Sequence, residues 1–283
     1  MRHRFLSRKM GLGTLVILAL FLFLFEILPV LGILSGTFLN NGSFSIHNLS
    51  SSWSTQYRSS FLTSTYVSLI SALIGLVLGV IAALAISREK NQGMARVLES
   101  FSALTANFAG VPLAFAFMVS LGANGVYTNL LHHLFGINIY AAGFSLLSIT
   151  GLVIVYSNFQ IPLTVLLILP AVLGLRQEWL EAHQTLGGSR PLYWWKVAFP
   201  ILLPPALGVF ALLFANSFGA YVTAYALAAG TINLVPVQIG FLINGNVGMN
   251  IGVGDALSMD MIVVMLIALF AYRWSLRWTA GWR

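Results

Sequence analysis

Long apolar stretches, separated by short polar segments, run through the whole chain. A helix needs about 20 consecutive apolar residues to cross a bilayer core about 30 Å thick. Six stretches are long enough, at approximately 11–34, 61–86, 102–122, 143–173, 200–228 and 256–276. The fourth and fifth contain Pro162, Pro170 and Pro204–Pro205, which predict kinked or tilted helices. The pattern therefore predicts an all-α integral membrane protein with six transmembrane helices.

The composition argues against a soluble protein. Of the 283 residues, 58% are hydrophobic and only 7% are charged, whereas a soluble domain carries about 25% charged residues. A chain this poor in charge cannot cover a surface that faces water. It also contains no cysteine, which excludes disulfides, thiol chemistry and cysteine-ligated metals.

The lysines and arginines lie almost entirely on one side of the six predicted spans. All but one of the 14 share the side of the N-terminus: Arg2, Arg4, Arg8, Lys9, Arg88, Lys90, Arg96, Arg176, Arg190, Lys196, Arg273, Arg277 and Arg283. Only Arg58 falls on the other side. The positive-inside rule therefore predicts that both termini are cytoplasmic. This placement explains the net charge of +7, and nucleic acid is not predicted as a partner.

Three segments are predicted to lie on the outer side. Residues 35–60 are rich in Ser, Asn and Gly and are expected to be irregular, whereas 123–142 could form a short interfacial helix. The segment 229–255 contains the apolar run VPVQIGFLI, which could re-enter the membrane or pack across the outer mouth. The adjacent His132 and His133 would point to different helix faces and have no third ligand nearby, so no metal site is predicted.

A polar segment of two parts separates the fourth and fifth apolar stretches. Residues 178–200 read EWLEAHQTLGGSRPLYWWKVAFP. Gly187–Gly188 predicts a left-handed stop after a first short helix. Ser189 and Pro191 then suit the start of a second helix that runs to about Ala198, and Pro200 would begin the fifth span at a fixed angle. Two helices joined by an elbow would form a rigid cytoplasmic protrusion suited to docking.

The spacing in this segment resembles the EAA loop of bacterial ABC importer permeases, EAA-x3-G-x9-I-x-L-P. Glu181, Ala182, Gly187 and Pro200 match the pattern, and Val197 and Phe199 stand at its Ile and Leu positions. His183 replaces the last Ala of the pattern. The resemblance covers about residues 61–275. It implies a type I (MetI-like) bundle in which the loop inserts into a separate ATPase subunit.

The resemblance also assigns roles and boundaries. Glu181 would make polar contacts with the ATPase, Ala182 would allow close approach, and Gly187 with Gly188 would form the elbow. The bulk of His183 would affect how the first helix seats. Residues 1–60 would hold the first helix and outer loop, 61–276 the permease core with the coupling loop at 178–200, and 277–283 a cytoplasmic tail. The apolar stretch Met10–Leu34 exceeds the roughly 7–15 residues of a signal core, so it is expected to remain as the first span.

The predicted energy source lies outside this chain. No GxxxxGK[ST] motif occurs, so no P-loop is available to hold nucleotide phosphates. The resemblance implies that ATP and Mg²⁺ bind to two partner ATPases and that this chain binds no cofactor. A second permease and a periplasmic or lipid-anchored binding protein would complete the importer in the bacterial inner membrane, surrounded by lipid.

The substrate prediction also comes from the resemblance. The tract SFGAYVTAYALAAG, followed by NLVPVQI, is most similar to permeases of the polyamine (spermidine/putrescine) group. Groups that carry aminoalkylphosphonates, ferric iron or thiamine remain alternatives. Polyamine-type members usually pair with a different permease, so a heterodimer is expected.

Polar residues inside the spans are costly and therefore candidate pathway residues. Seven are proposed: Glu26, Asn158, Gln160, Asn216, Tyr221, Tyr225 and Asp260. Ser217, Tyr221 and Tyr225 are spaced four apart and are expected to share a helix face. For most of them, interhelical hydrogen bonding is an equally good interpretation. Gly75 and Gly79 form a GxxxG motif that favours close helix packing.

Two other classes of protein are possible. A self-sufficient channel or ion-coupled carrier would need buried charges for coupling, and Glu26 is the only deep carboxylate. A membrane-embedded enzyme would need clustered acids, histidines or a nucleophile beside a base, and no such cluster is present. The leading hypothesis is therefore a transport subunit without catalytic residues.

Overall fold

The computed structural model describes residues 15–40, 42–228, 230–244 and 250–280. Some residues used in the sequence analysis lie outside these ranges. They are Arg2, Arg4, Arg8 and Lys9 of the charge distribution, residues 245–249 of the third outer segment, and residues 281–283 of the predicted tail. The described chain is mostly helical. Its helices are α1 (Leu15–Phe38), α2 (His47–Ser52), α3 (Thr55–Ser87), α4 (Gln92–Ala106), α5 (Val111–Leu121), α6 (Val126–Phe135), α7 (Ile149–Leu173), α8 (Gln177–Thr185), α9 (Arg190–Phe218), α10 (Tyr221–Ala228), α11 (Val235–Asn244) and α12 (Ile251–Ala280).

Within the described residues, six helical segments have the length and apolarity to cross a membrane, which confirms the predicted number. They are Leu15–Phe38, Thr55–Ser87, Val111–Phe135, Ile149–Leu173, Arg190–Phe218 and Ile251–Phe270. The third runs through α5 and α6. The all-α membrane fold predicted from the hydrophobic pattern is therefore confirmed.

The predicted third span, residues 102–122, is wrong as a single helix. Helix α4 ends at Ala106 and α5 begins at Val111. Gly110 between them has φ of 74°, a left-handed conformation that favours glycine, and Pro112 follows in the first turn of α5. Hydrophobicity continues across this break, so the apolar pattern alone could not locate it.

The fourth and fifth spans also differ from their predicted bounds. Helix α7 begins at Ile149 rather than near residue 143, and the Ser148 hydroxyl caps it by accepting the Gly151 N–H at 3.3 Å. The fifth stretch is interrupted after Phe218, and α10 begins at Tyr221. The prediction that Ser217, Tyr221 and Tyr225 share one continuous helix face is therefore wrong.

The chain divides into two compact units, and the first comprises the described parts of residues 1–58 and 238–263. It holds α1, α2, the start of α12 and a hairpin of β1 (Leu39–Asn40) and β2 (Ser43–Phe44). The strands are antiparallel, with Leu39 opposite Phe44 and Asn40 opposite Ser43. The outer segment 35–60, predicted to be irregular, thus contains regular elements. Cross-strand pairing and the ring stacking of Phe38 on Phe44, at 5.9 Å, stabilise its turn.

Polar contacts hold this first unit together. The Asn48 amide donates to the Gly36 carbonyl at 3.0 Å, and the Ser52 hydroxyl donates to Asp260 at 2.7 Å. Gly36 also lies directly against the Asp255 carboxylate, where any larger residue would overlap it. The end of α1, helix α2 and the start of α12 are therefore locally interlocked.

The second unit comprises the described parts of residues 59–237 and 264–283 and contains the main apolar core. Buried residues from α3, α5, α7 and α10 meet there, among them Val67, Leu113, Leu152, Tyr156 and Leu227. Helix α4 packs along α7, and α9 also packs against α7. Helix α7 is therefore the central element of this unit.

Small residues let α7 approach α3 closely. Ser64, Ser68 and Ser71 are buried on α3, and Gly75 and Gly79 continue the same side. Gly75 lies against the Gln160 side chain, and Gly79 lies against Thr164 and the Ile161 carbonyl. The close packing predicted from the GxxxG motif is confirmed.

We expect Gly79→Ala to destabilise the protein, because the added methyl would overlap Thr164 and the Ile161 carbonyl. Overpacking of this kind costs about 1–3 kcal/mol, which corresponds to a melting temperature lower by roughly 3–10 °C. Thermal unfolding of the purified protein in detergent measures the change. Gly32→Ala on α1, where the space around the glycine is open, serves as the control. Equal melting temperatures for the two variants would contradict this packing.

Candidate functional site: the coupling loop and the polar interior

Helix α8 ends in the stop that Gly187–Gly188 predicted. The Gly187 N–H donates to the Gln184 carbonyl, and the Gly188 N–H donates to the His183 carbonyl, both at 2.9 Å. This pair of bonds is the Schellman arrangement, and Gly187 adopts a φ of 83°. Only glycine takes that conformation without a steric penalty. The elbow is therefore determined by local chemistry.

His183 lies beneath the elbow rather than on its outer face. Its ring packs against Gly188, where a methyl group would overlap the imidazole, and its centroid is 6.0 Å from that of Tyr193. Tyr193 is itself 4% exposed. The buried Nε2 atom of His183 has no hydrogen-bond partner among the described residues. The imidazole therefore fills the inside corner between the two helices.

The inward position of His183 leaves Glu181 and Ala182 exposed on α8. The Glu181 carboxylate makes no ion pair with the described residues, whereas its carbonyl accepts the Thr185 hydroxyl at 2.9 Å. Leu186, at the tip of the loop, is 88% exposed. Sequence reasoning missed Leu186, although an apolar residue directly before Gly187–Gly188 was a usable signal. Helix α8 and the tip together thus present a carboxylate, a methyl and an isobutyl group.

The prediction that the second helix of the loop ends near Ala198 is wrong. Helix α9 continues without a break from Arg190 to Phe218, with Ser189 at its N-cap position but without a side-chain capping bond. A π-helical turn at Trp194–Ala198 brings the Phe199 N–H to the Trp194 carbonyl. Pro200 follows, and it has no N–H to give to the carbonyl four residues earlier. The wider turn accommodates the proline without ending the helix, so the loop is continuous with the fifth span.

A polar network joins three helices inside the second unit. The Gln160 amide of α7 donates to the Ser71 hydroxyl of α3 at 2.9 Å, and Ser71 and Ser217 of α9 are 3.0 Å apart. Gln160 is fully buried, and its Oε1 atom has no partner among the described residues. The structure therefore places Gln160 in interhelical bonding, with no surface toward a pathway.

Side chains of other helices satisfy the backbone at the two helix breaks. The Gly110 N–H donates to the Thr223 hydroxyl at 2.8 Å, and the Tyr156 hydroxyl donates to the Ala220 carbonyl at 2.9 Å. Within a membrane such groups have no water to bond, so an internal partner is required. Sequence reasoning missed the roles of Thr223 and Tyr156, because both depend on contacts between distant segments.

Four of the predicted pathway residues retain exposed surface in this unit. Asn158 on α7 and Asn216 on α9 are exposed, Tyr221 is half-buried and Tyr225 is 45% exposed. The rings of Tyr221 and Tyr225 lie 5.4 Å apart on α10, directly after the break at residues 219–220. These side chains can offer hydrogen bonds and aromatic faces to a polar solute, and none of them carries a charge.

The two predicted acidic pathway residues belong to the first unit. Glu26 is exposed and lies in a π-helical turn, Phe23–Ile27, that precedes Pro29. Asp260 accepts hydrogen bonds from Ser52 and from the side chain of Trp53. Asp260 therefore ties the outer loop to α12. Among the described residues, no group of three His, Asp or Glu side chains is placed to hold a metal ion.

Comparison with solved structures identifies the class of fold. The chain superposes on the crystal structure of a bacterial ABC transporter that imports the acidic polysaccharide alginate, with a TM-score of 0.73 and 19% identity over 98% of this chain and 96% of that one. The alginate transporter in complex with its pentasaccharide-bound periplasmic protein gives a TM-score of 0.77 at 18% identity, covering 98% and 97% of the two chains. The MetNI methionine ABC transporter gives 0.57 at 16% identity, covering 79% and 95%. The fold is that of MetI-like ABC importer permeases.

Sequence comparison points to the same class. No protein-family model matches the chain. The chain is 26% identical over 186 residues to the molybdenum transport system permease protein ModB of Mycobacterium tuberculosis (strain ATCC 25618 / H37Rv), covering 64% of this chain and 67% of the relative. The ModB protein of Mycobacterium bovis (strain ATCC BAA-935 / AF2122/97) gives the same values. The predicted resemblance to ABC importer permeases is confirmed at this level, whereas the polyamine group receives no specific support.

We expect the fit of His183 against Gly188 to appear as a coupling between two substitutions. Gly188→Ala alone should destabilise the elbow, and the same change should cost little in a His183→Ala background, because the overlapping imidazole is gone. Residues in direct contact show coupling energies of about 0.5–3 kcal/mol. This coupling energy is obtained from thermal unfolding and from the rate of proteolytic cleavage in the loop, measured for the native chain, the two single variants and the double variant.

Gly187→Ala is the matched control for this cycle. The space around Gly187 is open and its φ is 83°, so its cost, about 1–2 kcal/mol, should be the same with or without His183. If Gly188→Ala were equally costly in both backgrounds, the imidazole would not fill the corner of the elbow.

Proposed function

We propose that this chain is one permease subunit of an ATP-driven importer and forms half of the translocation pathway for a small polar solute. The MetI-like fold supports this proposal, and so does the identity shared with ModB permease proteins. The chain acts as a transport subunit, and ATP with Mg²⁺ binds to two separate ATPase subunits.

The observation that carries the proposal is the shape of residues 177–218. A short helix with an exposed carboxylate and an exposed apolar tip is joined through a Schellman stop to a helix that enters the predicted membrane region without a break. Such a connection is stiff, because hydrogen bonds close the helix stop and the rings of His183 and Tyr193 pack together between the two helices. Movement of a bound ATPase at Glu181, Ala182 and Leu186 would therefore reach α9 directly.

The helix breaks supply a complementary feature for transport. Non-helical backbone at membrane depth is tolerated where protein side chains satisfy it or where it lines a cavity. Tyr221 and Tyr225 follow one such break, and Asn158 and Asn216 add exposed amides on α7 and α9. We assign these four side chains to the solute pathway, whereas Gln160 and Ser71 belong to the buried polar network.

The assembly follows from the resemblance. The chain would pair with a second permease, which we propose to be non-identical, and receive solute from a periplasmic or lipid-anchored binding protein. It would lie in the bacterial inner membrane with both termini cytoplasmic, as the distribution of arginine and lysine predicts.

For the solute we retain a polyamine such as spermidine or putrescine. The proposal rests on the tract 217–230 with 233–239 and on Glu26, whose carboxylate is exposed on α1. The molybdenum and alginate transport named for the similar proteins favours an anionic solute instead. Aminoalkylphosphonate, ferric iron and thiamine are the alternatives within the resemblance.

We expect Glu181→Ala to uncouple the permease from its ATPases. A hydrogen bond to a charged group contributes about 1.5–3 kcal/mol, so uptake by the complete importer in proteoliposomes should fall about tenfold or more. Glu178→Ala removes another exposed acid, in the first turn of the same helix, and should leave uptake near the unmodified level. The melting temperature of both variants should be unchanged. Equal uptake by the two variants would exclude the proposed role of Glu181.

The solute proposal is tested by uptake of labelled spermidine and labelled molybdate in the same proteoliposomes. Polyamine import predicts saturable spermidine uptake that putrescine inhibits, and Glu26→Gln should raise its KM because a carboxylate near the entrance attracts cations. Saturable molybdate uptake without spermidine uptake would replace the polyamine assignment and leave the permease function intact.

The same proteoliposome assay distinguishes the proposed permease from the main alternative. A self-sufficient channel or ion-coupled carrier would move solute in liposomes that contain this chain alone. The proposed permease requires the ATPases and ATP.

A further inference from the structure

A cavity of about 230 Å³ opens at the base of the coupling loop. Its walls come from four segments: the end of α3, the end of α7, the start of α8 and the beginning of α9. The residues that matter for its chemistry are Ser87, Arg88, Arg176, Tyr193 and Trp194. The cavity therefore connects the predicted cytoplasmic ends of two spans with both parts of the loop.

The polar character of this cavity is basic. Arg88 and Arg176 line it, and the described residues provide no carboxylate among its walls and no ion pair for either arginine. Arg88 lies over the Trp194 ring, with its guanidinium carbon 5.5 Å from the ring centroid. This contact orients the group without neutralising its charge. Arg176 precedes the first turn of α8, where the helix dipole adds partial positive charge.

Two arginines around one opening match a particular ligand chemistry. The planar guanidinium pairs bidentately with phosphate oxygens, and both side chains are exposed and reachable from outside. Ser87 adds a hydroxyl donor at the same wall. The remaining walls are apolar or aromatic, including Leu84, Val172 and Leu173 at the ends of the membrane-spanning helices. A phosphate with an attached apolar group would satisfy both kinds of wall.

We infer that this cavity is a binding site for a phosphate monoanion, and that its occupant is the phosphodiester headgroup of an anionic phospholipid. The cavity lies where membrane-spanning helices meet the coupling loop, which is the level of lipid headgroups on the side that carries most of the positive charge. The acyl chains would continue along the apolar surface of the spans. The headgroup would bridge Arg88 of α3 and Arg176 of α8.

This inference requires only that the chain spans a membrane, so it does not rest on the proposed transport function. It adds a second anchor to the coupling loop. A bound headgroup would hold the start of α8 against the end of α3, while the tip at Glu181 and Leu186 stays free for a partner.

Native mass spectrometry of the purified full chain tests the site with phosphatidylglycerol, and with phosphatidylcholine as the zwitterionic probe. Each direct arginine–phosphate contact is expected to contribute about fivefold to the affinity. We therefore expect Arg88→Gln/Arg176→Gln to weaken phosphatidylglycerol binding by about 25-fold. Lys90→Gln/Arg96→Gln removes the same charge from exposed positions that do not line the cavity, and should weaken binding much less than the cavity variant does.

A second pair of variants guards against misfolding of the double glutamine variant. Arg88→Lys and Arg176→Lys keep the charge and lose the bidentate fork, so each should bind phosphatidylglycerol more weakly than the native chain at an unchanged melting temperature. A soluble probe, glycerol 1-phosphate, separates the two sources of phosphate. Arginine-dependent binding of it, with no preference for phosphatidylglycerol, would keep the phosphate site and replace the lipid as its occupant.

Two results would overturn the inference. One is equal phosphatidylglycerol binding by the cavity variant and the Lys90/Arg96 control, and the other is equal binding of phosphatidylglycerol and phosphatidylcholine by the native chain with no response to glycerol 1-phosphate.

Discussion

The close approach of α7 to α3 is the contact on which the second unit depends. Gly75 and Gly79 remove side-chain bulk from α3 at the positions where Gln160 and Thr164 of α7 come in. With the helices this near, Gln160 reaches Ser71 and Ser71 reaches Ser217, so three helices share one buried polar network. The same placement of α7 lets Tyr156 reach the carbonyl of Ala220. In lipid there is no hydrophobic force between helices, so small residues and interhelical hydrogen bonds must hold the bundle.

The broken helices follow from this arrangement. A break exposes backbone groups that a membrane cannot solvate, and it persists only when another element supplies a partner. Thr223 and Tyr156 are those partners for the breaks at residues 107–110 and 219–220. The tract that resembles polyamine permeases contains several of these structural residues: Ser217 in the network, Gly219–Ala220 at the break and Thr223, which accepts the Gly110 N–H. Much of that tract is therefore required by the fold, which explains why its resemblance specifies the class of protein more firmly than the solute.

The coupling loop combines local and tertiary determinants. Its elbow needs only Gly187–Gly188, because the two hydrogen bonds of the helix stop form within six residues. Its stiffness depends on His183 and Tyr193, which meet across the elbow at a ring distance of 6.0 Å. The departure from the EAA pattern at His183 thus has a structural reason: the imidazole points inward and leaves the outer face to Glu181, Ala182 and Leu186.

The amino-acid sequence by itself determined the all-α membrane fold, the number of spans, the close packing at Gly75 and Gly79 and the elbow of the coupling loop. Each of these depends on length, periodicity or a motif within one segment, and such features are visible in the order of residues. Tertiary structure decided the helix breaks, the continuous path from Arg190 to Phe218, the burial of Gln160 and the tie between Asp260 and the outer loop. Those features depend on which distant side chain meets an unpaired backbone or carboxylate group, and neighbours in space are not encoded by hydrophobicity along the chain.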